Sequence, residues 1–143
     1  MSELNLFGLI DLVSDKHAEL RGEVRQRWIQ NGNEDVTPQE YYLMTRLELH
    51  QELTIAETAR KMNISRQAAH KCAKGLIEKR LIVAETSEDN LREKLLRLTS
   101  KGLESCKEMT EIKEEIEKEI ADSLGQEKVK LLKDILKANW YRS

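Results

Sequence analysis

Six side chains between Ser65 and Lys74 have the types and spacing to do chemistry together: Ser65, Arg66, Gln67, His70, Lys71 and Lys74. On a helix they lie opposite Ala69, Cys72, Ala73 and Leu76, whose three- and four-residue spacing marks a buried stripe. All six are hydrogen-bond donors or cations, and no acid stands among them. Arginine and glutamine pair bidentately with purine edges in a major groove. Lysine and serine suit phosphate oxygens, which fix register and carry no sequence information. Arg66, Gln67 and His70 are therefore the expected base contacts, and Ser65, Lys71 and Lys74 the expected phosphate contacts.

A face of this kind needs a supporting helix and a tight turn before it. Thr54 and Glu57 have the spacing of a capping box, in which hydroxyl and carboxylate satisfy each other's backbone N–H groups. Ile55, Ala59 and Met62 then share one side of a short helix, with Thr58 beside them. Asn63 tolerates the left-handed conformation that a sharp turn requires, Ile64 is an apolar plug, and Ser65 caps the next helix. Downstream, Leu81–Glu85 and Lys94–Thr99 are β-prone runs separated by a charged tip from Thr86 to Glu93. Arg92, helped by Lys94, stands where a narrow loop carries arginine into an electronegative, A·T-rich minor groove. A helix–turn–helix followed at once by a hairpin is a winged helix.

The run T-x-x-E-x-A-x-x-M-N-I-S from Thr54, then L-x-x-x-R-L-I from Leu76, then R-x-x-x-L-x-L-T-x-x-G from Arg92 to Gly102 resembles the MarR family (multiple-antibiotic-resistance regulators). Thr37-Pro38-Gln39-Glu40-Tyr41-Tyr42 resembles that family's lead-in helix, so the motifs span about residues 35–105. The resemblance implies a homodimer on a pseudo-palindromic operator in double-stranded DNA, acting as a repressor. It also implies a small organic effector between the winged helix and the terminal helices. Two positions depart from the family. Arg80 replaces the usual glycine, at a cost of about 1 kcal/mol or more if the site needs a positive φ. Asn90, next to Asp89, replaces the aspartate that steers the wing arginine.

The rest of the chain reads as helices that pair two copies. Leu6, Ile10, Val13, His17, Leu20, Val24 and Trp28 form a helical stripe over residues 3–30, which Gly8 and Gly22 weaken. A helix of that length would span about 40 Å, against a radius of gyration of about 14–15 Å for a globule of this size. It calls for a partner, and a second copy is the nearest one. After the Asn31–Asp35 loop, Thr37 and Glu40 repeat the capping box with Pro38 at the first helical position. Tyr41, Tyr42, Leu43, Met44, Leu47 and Leu49 follow, and core packing is the expected role of the tyrosines. Leu103, Cys106, Ile112, Ile116, Ile120 and Leu124 line a helix running from the Thr99 cap to Gly125. Val129, Leu132, Ile135, Leu136 and Trp140 line a last one. The expected organisation is mainly α with a small β-hairpin wing: residues 1–30 for dimerisation, 36–99 as the winged helix–turn–helix, and 100–143 for dimerisation again.

Charge and chemistry exclude most other classes. The net charge is −2, yet residues 60–97 hold ten Lys/Arg against five Asp/Glu, and residues 104–119 hold seven acids against three lysines. Distribution, more than sum, governs attraction to phosphate. His17, His50 and His70 fall on three different elements, and no metal-ligand, phosphate-loop or nucleophile motif is present. No catalytic residue, metal or cofactor is therefore expected. Cys72 and Cys106 fit a reducing, cytoplasmic compartment and sit on apolar stripes, where cysteine behaves as a small hydrophobe. No apolar run is long enough for a signal peptide or membrane span. The rival reading is a winged helix whose basic face docks on an acidic protein without sequence-specific DNA binding.

Overall fold

The computed structural model describes residues 3–86 and 93–141. After a 3-10 turn at Glu3–Leu6, the elements are α1 (Leu9–Gln30), α2 (Pro38–His50), β1 (Glu52–Thr54), α3 (Ile55–Met62), α4 (Arg66–Glu78), β2 (Ile82–Thr86), β3 (Lys94–Leu98), α5 (Ser100–Leu124) and α6 (Gln126–Lys137). They fall into two compact units, Arg25–Met109 and the pair of segments Met1–Val24 and Thr110–Ser143. The mainly helical chain with a small antiparallel sheet matches the fold expected from the sequence.

In the Arg25–Met109 unit the caps explain where helices start. Thr37 and Thr54 both form complete capping boxes, with Glu40 and Glu57 accepting from the threonine N–H groups at 2.9 and 3.1 Å. Ser65 accepts from the Ala68 N–H at 3.0 Å and opens α4. The core is built from Leu43, Met44 and Leu47 of α2, Ala69, Cys72, Ala73 and Leu76 of α4, and Leu53, Ile82 and Leu96 of the sheet.

The sheet has three strands, in the order β1-β3-β2, and not the two of a bare hairpin. Strand β1 escapes the sequence reading because three residues are too few to show alternation. It forms because the Thr54 cap already requires extended backbone, at φ −76° and ψ 165°. That places Leu53 opposite Leu96 on β3, where both are buried.

Two turns set the angle between elements. Helix α3 ends with Asn63 left-handed at φ 53°, and Ile64 N–H reaches back to Ala59 O at 3.0 Å. Helix α4 ends the same way one element later. Arg80 takes φ 64° and donates to Ile77 O at 2.9 Å, while Leu81 N–H donates to Leu76 O at 3.0 Å. Both are Schellman closures, in which the left-handed residue is normally glycine. The chain then returns against this turn. Leu81 O accepts from Thr99 N–H at 3.0 Å, and Thr99 Oγ1 accepts from Gly102 N–H at 3.0 Å. A Cβ on Gly102 would collide with the Leu81 carbonyl, which accounts for the glycine.

In the other unit, Ile112 and Ile116 of α5 are buried, and a Glu117–Lys133 ion pair ties α5 to α6. Gly125, at φ 99°, makes the corner between those helices. Helix α1 begins just after Gly8, and Gly22 leaves it unbroken. Leu9, Ile10 and Val13 of α1 are exposed, Ile10 at 83%, as are Leu132, Ile135 and Leu136 of α6.

Because Arg80 holds a conformation that glycine occupies without a Cβ penalty, Arg80→Gly is expected to raise stability by about 1 kcal/mol. Gly102→Ala, forced against a backbone carbonyl, is expected to lower it by about 2 kcal/mol. Urea unfolding midpoints check both. An unchanged or lowered midpoint for Arg80→Gly would contradict the strain assigned to that turn.

Candidate nucleic-acid interface

Helix α4 is held from three sides. Its Ala69–Leu76 stripe packs inward, its N-terminus follows the Asn63–Ile64 turn, and its C-terminal part is anchored to α2. That anchor is Glu40, a carboxylate left 5% exposed, which takes Lys79 Nζ at 2.6 Å. A Cβ on Gly75 would strike the Glu40 carboxylate, so the glycine lets α4 lie directly on it. The core packing expected of the tyrosines is not reached, since Tyr41 and Tyr42 are only half-buried and Leu49 of the same helix is exposed. The Tyr42 ring lies under the Arg46 guanidinium at 4.4 Å and its hydroxyl points to Lys61 O at 3.4 Å, a long bond.

This scaffold leaves Ser65, Arg66, Gln67, His70, Lys71 and Lys74 all exposed on α4 and its cap. The Ser65 oxygen is committed to the Ala68 N–H, but its own O–H remains a donor. Lys94 is exposed at the start of β3. Arg92, Asp89 and Asn90 lie outside the described residues. Farther along the same helix Glu78 is also exposed, so the acid-free surface belongs to the N-terminal part of α4.

The hairpin and α4 enclose a cleft of about 330 Å³, lined among others by Arg66, His70, Lys74, Lys94, Ile77 and Ala84. The apolar floor and cationic rim were not legible in the sequence, because they depend on which flank of α4 faces β3. The structure also removes two cations from the basic excess. Lys79 is spent on Glu40. Arg97, on the exposed side of the sheet, bonds Glu52 on β1 at 2.6 Å and approaches Glu85 on β2 at 3.8 Å. Of the other described cations in residues 60–97, Arg66, Lys71, Lys74 and Lys94 lie exposed on α4 and at the base of the hairpin, Arg60 and Lys61 on α3, and Arg80 in the turn after α4.

Titration follows from these contacts. The Thr54 N–H holds the Glu57 carboxyl below its ordinary range, so this cap contributes fully at neutral pH and is lost as acid protonates it. Hydrogen bonding to Arg25 lowers Asp35 likewise. Burial, with Glu40 nearby, pushes the Cys72 thiol up from 9.0 to about 11. A thiol so protonated is a poor nucleophile. Among the described residues, no group of three His, Cys, Asp or Glu is placed to hold a metal ion, and no helix is long and apolar enough to cross a membrane.

Residues 34–93 match the model of the MarR family. Among solved structures, the chain is similar to MepR of Staphylococcus aureus, described as a transcription regulator of the multidrug efflux pump MepA, at 23% identity and TM-score 0.74, covering 91% of this chain and 94% of that one. Wild-type MarR of E. coli, in its apo form, is similar at 16% identity and TM-score 0.74, covering 92% and 96%. A point mutant of S. aureus MepR bound to an oligodeoxyribonucleotide is similar at 22% identity and TM-score 0.66, covering 91% and 94%. No curated protein matches the sequence.

With its pKa raised, the Cys72 thiol should resist thiol reagents in the folded protein at neutral pH. In a Cys106→Ala variant, labelling by a chromogenic disulfide at pH 7 is expected to be slow and to become fast on unfolding. The sign for stability follows from the same shift. The contribution of protonated Cys72 is intact below about pH 9 and is lost as pH rises through about 11. Rapid stoichiometric labelling of native protein at pH 7 would show that the thiol is neither shielded nor held neutral.

Proposed function

We propose that this chain, whose residues 34–93 match the MarR family and whose fold is that of MarR-family transcription regulators, binds double-stranded DNA as a cytoplasmic homodimer and represses transcription in response to a small organic effector. The observation that carries the reading is the exposed run of donors and cations from Ser65 to Lys74, held on a rigid helix with no acid in that run. Ser65, Arg66, Gln67, His70, Lys71 and Lys74 meet the major-groove side of the duplex, and Arg92 with Lys94 the minor-groove side. The DNA-bound MepR structure supports a duplex as the partner of this fold.

Dimerisation is supported by the apolar surface left on the terminal helices. Exposed leucines and isoleucines on α1 and α6 form a pattern that a single copy does not bury. Residues 1–30 and 100–143 are assigned to that contact, and residues 36–99 to DNA. Two copies would set their α4 helices about 34 Å apart, one turn of duplex. No catalytic step is assigned, and no membrane contact.

Selection of duplexes from a random pool, followed by titration at two salt concentrations, tests the reading. Winners are expected to show two-fold sequence symmetry. Affinity should fall with salt along a log–log slope of about −3 or steeper, since each neutralised phosphate contributes about −0.9. A chain that is monomeric at micromolar concentration, or that binds an acidic protein but no duplex, would replace this reading with that of a protein-docking winged helix.

A further inference from the structure

The outward surface of α4 is not one surface. At about 3.6 residues per turn, Gln67 and Lys71 point directly away from the buried Ala69–Leu76 stripe, while Arg66, His70 and Ile77 turn about a quarter-turn toward the hairpin. The cleft confirms the division: Arg66, His70, Lys74 and Ile77 line it, together with Ala84 and Lys94 across from them, and Gln67 and Lys71 stand outside it. Spacing along the chain groups Arg66 with Gln67. The fold separates them.

We infer that the cleft between α4 and the β2–β3 hairpin seats one sugar-phosphate strand of the duplex, gripped by Arg66, His70, Lys74 and Lys94, and that base reading falls to Gln67 and Lys71. This rests on the DNA-binding reading and specifies it. The argument is one of shape and charge. A helix in a major groove and a hairpin against the neighbouring minor groove are separated on DNA by a single convex ridge, the backbone strand between those grooves. That ridge has to enter whatever concavity lies between helix and hairpin.

The concavity has the complementary chemistry. Arg66, Lys74 and Lys94 supply cations and His70 a ring donor, while the buried Ile55, Ala73 and Leu96, with the more exposed Ile77 and Ala84, give an apolar lining for deoxyribose. Glu93 adds a carboxylate to the lining, leaving cations in excess. Base edges lie at the floor of a groove about 8.5 Å deep, where only side chains pointing straight off the helix arrive. Gln67, Lys71 and Lys74 all do so, and of the three only Gln67, with the bidentate amide that suits adenine, and Lys71, a donor that suits guanine, stand outside the cleft.

The test uses the full chain and a selected duplex, with single variants whose side chains are exposed and whose fold is checked by circular dichroism. Arg66→Ala and Lys94→Ala should each weaken all duplexes alike and flatten the salt slope by about one unit, with base preference unchanged. Gln67→Ala should keep the slope and lose about tenfold or more of its discrimination at one base pair. Neutral methylphosphonates placed one at a time along the strand locate the seat. One position should weaken wild type markedly and weaken Lys94→Ala much less.

If Arg66→Ala erases preference at a base pair and leaves the slope intact, the cleft does not hold backbone and the inference falls while DNA binding stands. Equal methylphosphonate losses in wild type and Lys94→Ala overturn it in the same way. Failure of wild type to bind any duplex at low salt is a different result, which removes the parent reading together with this one.

Discussion

The arrangement of the winged-helix unit depends on one buried carboxylate. Glu40 accepts from Thr37 N–H at 2.9 Å and from Lys79 Nζ at 2.6 Å through the same oxygen. A charge taken out of water is tolerable only when paired and hydrogen-bonded, and losing one partner of such a pair typically costs about 3–5 kcal/mol. The three groups come from the start of α2, the end of α4 and the cap between loop and helix. The bond therefore fixes where α4 ends relative to the core helix α2 beneath it. Gly75 is the steric half of the same joint, since α4 approaches the carboxylate too closely for any side chain at that position.

From that joint the wing inherits its direction. Lys79 leads into Arg80, whose left-handed turn reverses the chain. Arg80 O accepts from Thr99 Oγ1 at 2.7 Å, so the outgoing strand and the incoming helix α5 close on the same few peptide groups. Lys101 adds a bond to Lys79 O at 3.0 Å. Strain at Arg80 persists because several neighbours determine the same geometry, the condition under which such backbone survives. The hairpin is thus referenced to α4, and the width of the cleft between them is set by bonded groups on both sides.

Much of this was legible in the sequence wherever the signal was local. Both capping boxes, the left-handed Asn63, the Ser65 cap and the penalty at Arg80 follow from residue type and spacing within four or five positions, whereas Gly8 and Gly22 look alike in the sequence and only the first stands at a helix boundary. What could not be read depends on pairs distant along the chain. Glu40 looked like a capping residue and nothing more, because its second partner is 39 residues away. Arg97 counted as one more cation until the sheet register set it against Glu52. Strand β1 needed β3 before three residues could count as a strand. The flank of α4 that faces the hairpin is likewise a property of packing, invisible to periodicity, which gives a helix an inside and an outside but no left or right.

The same distinction reconciles an acidic chain with the anionic partner proposed for it. Exposed charges act over about 8–10 Å at physiological salt, so a net charge of −2 says little about what a given face attracts. The fold sorts its cations. Those drawn into structure, Lys79 and Arg97, are neutralised by acids fixed opposite them, and neither belongs to the exposed run from Arg66 to Lys74. Of the exposed remainder, Arg66, Lys71, Lys74 and Lys94 gather on one cleft and one helix face, while Arg60 and Lys61 stand on α3 and Arg80 in the turn after α4. The small inner face of α4 serves the same end: Ala69, Ala73 and Gly75 let the helix sit close against its neighbours, with its long side chains on the outside. A leucine at any of the three would lift the helix and change the cleft as well as the core. The packing of the hidden side and the chemistry of the exposed side are in that sense a single constraint.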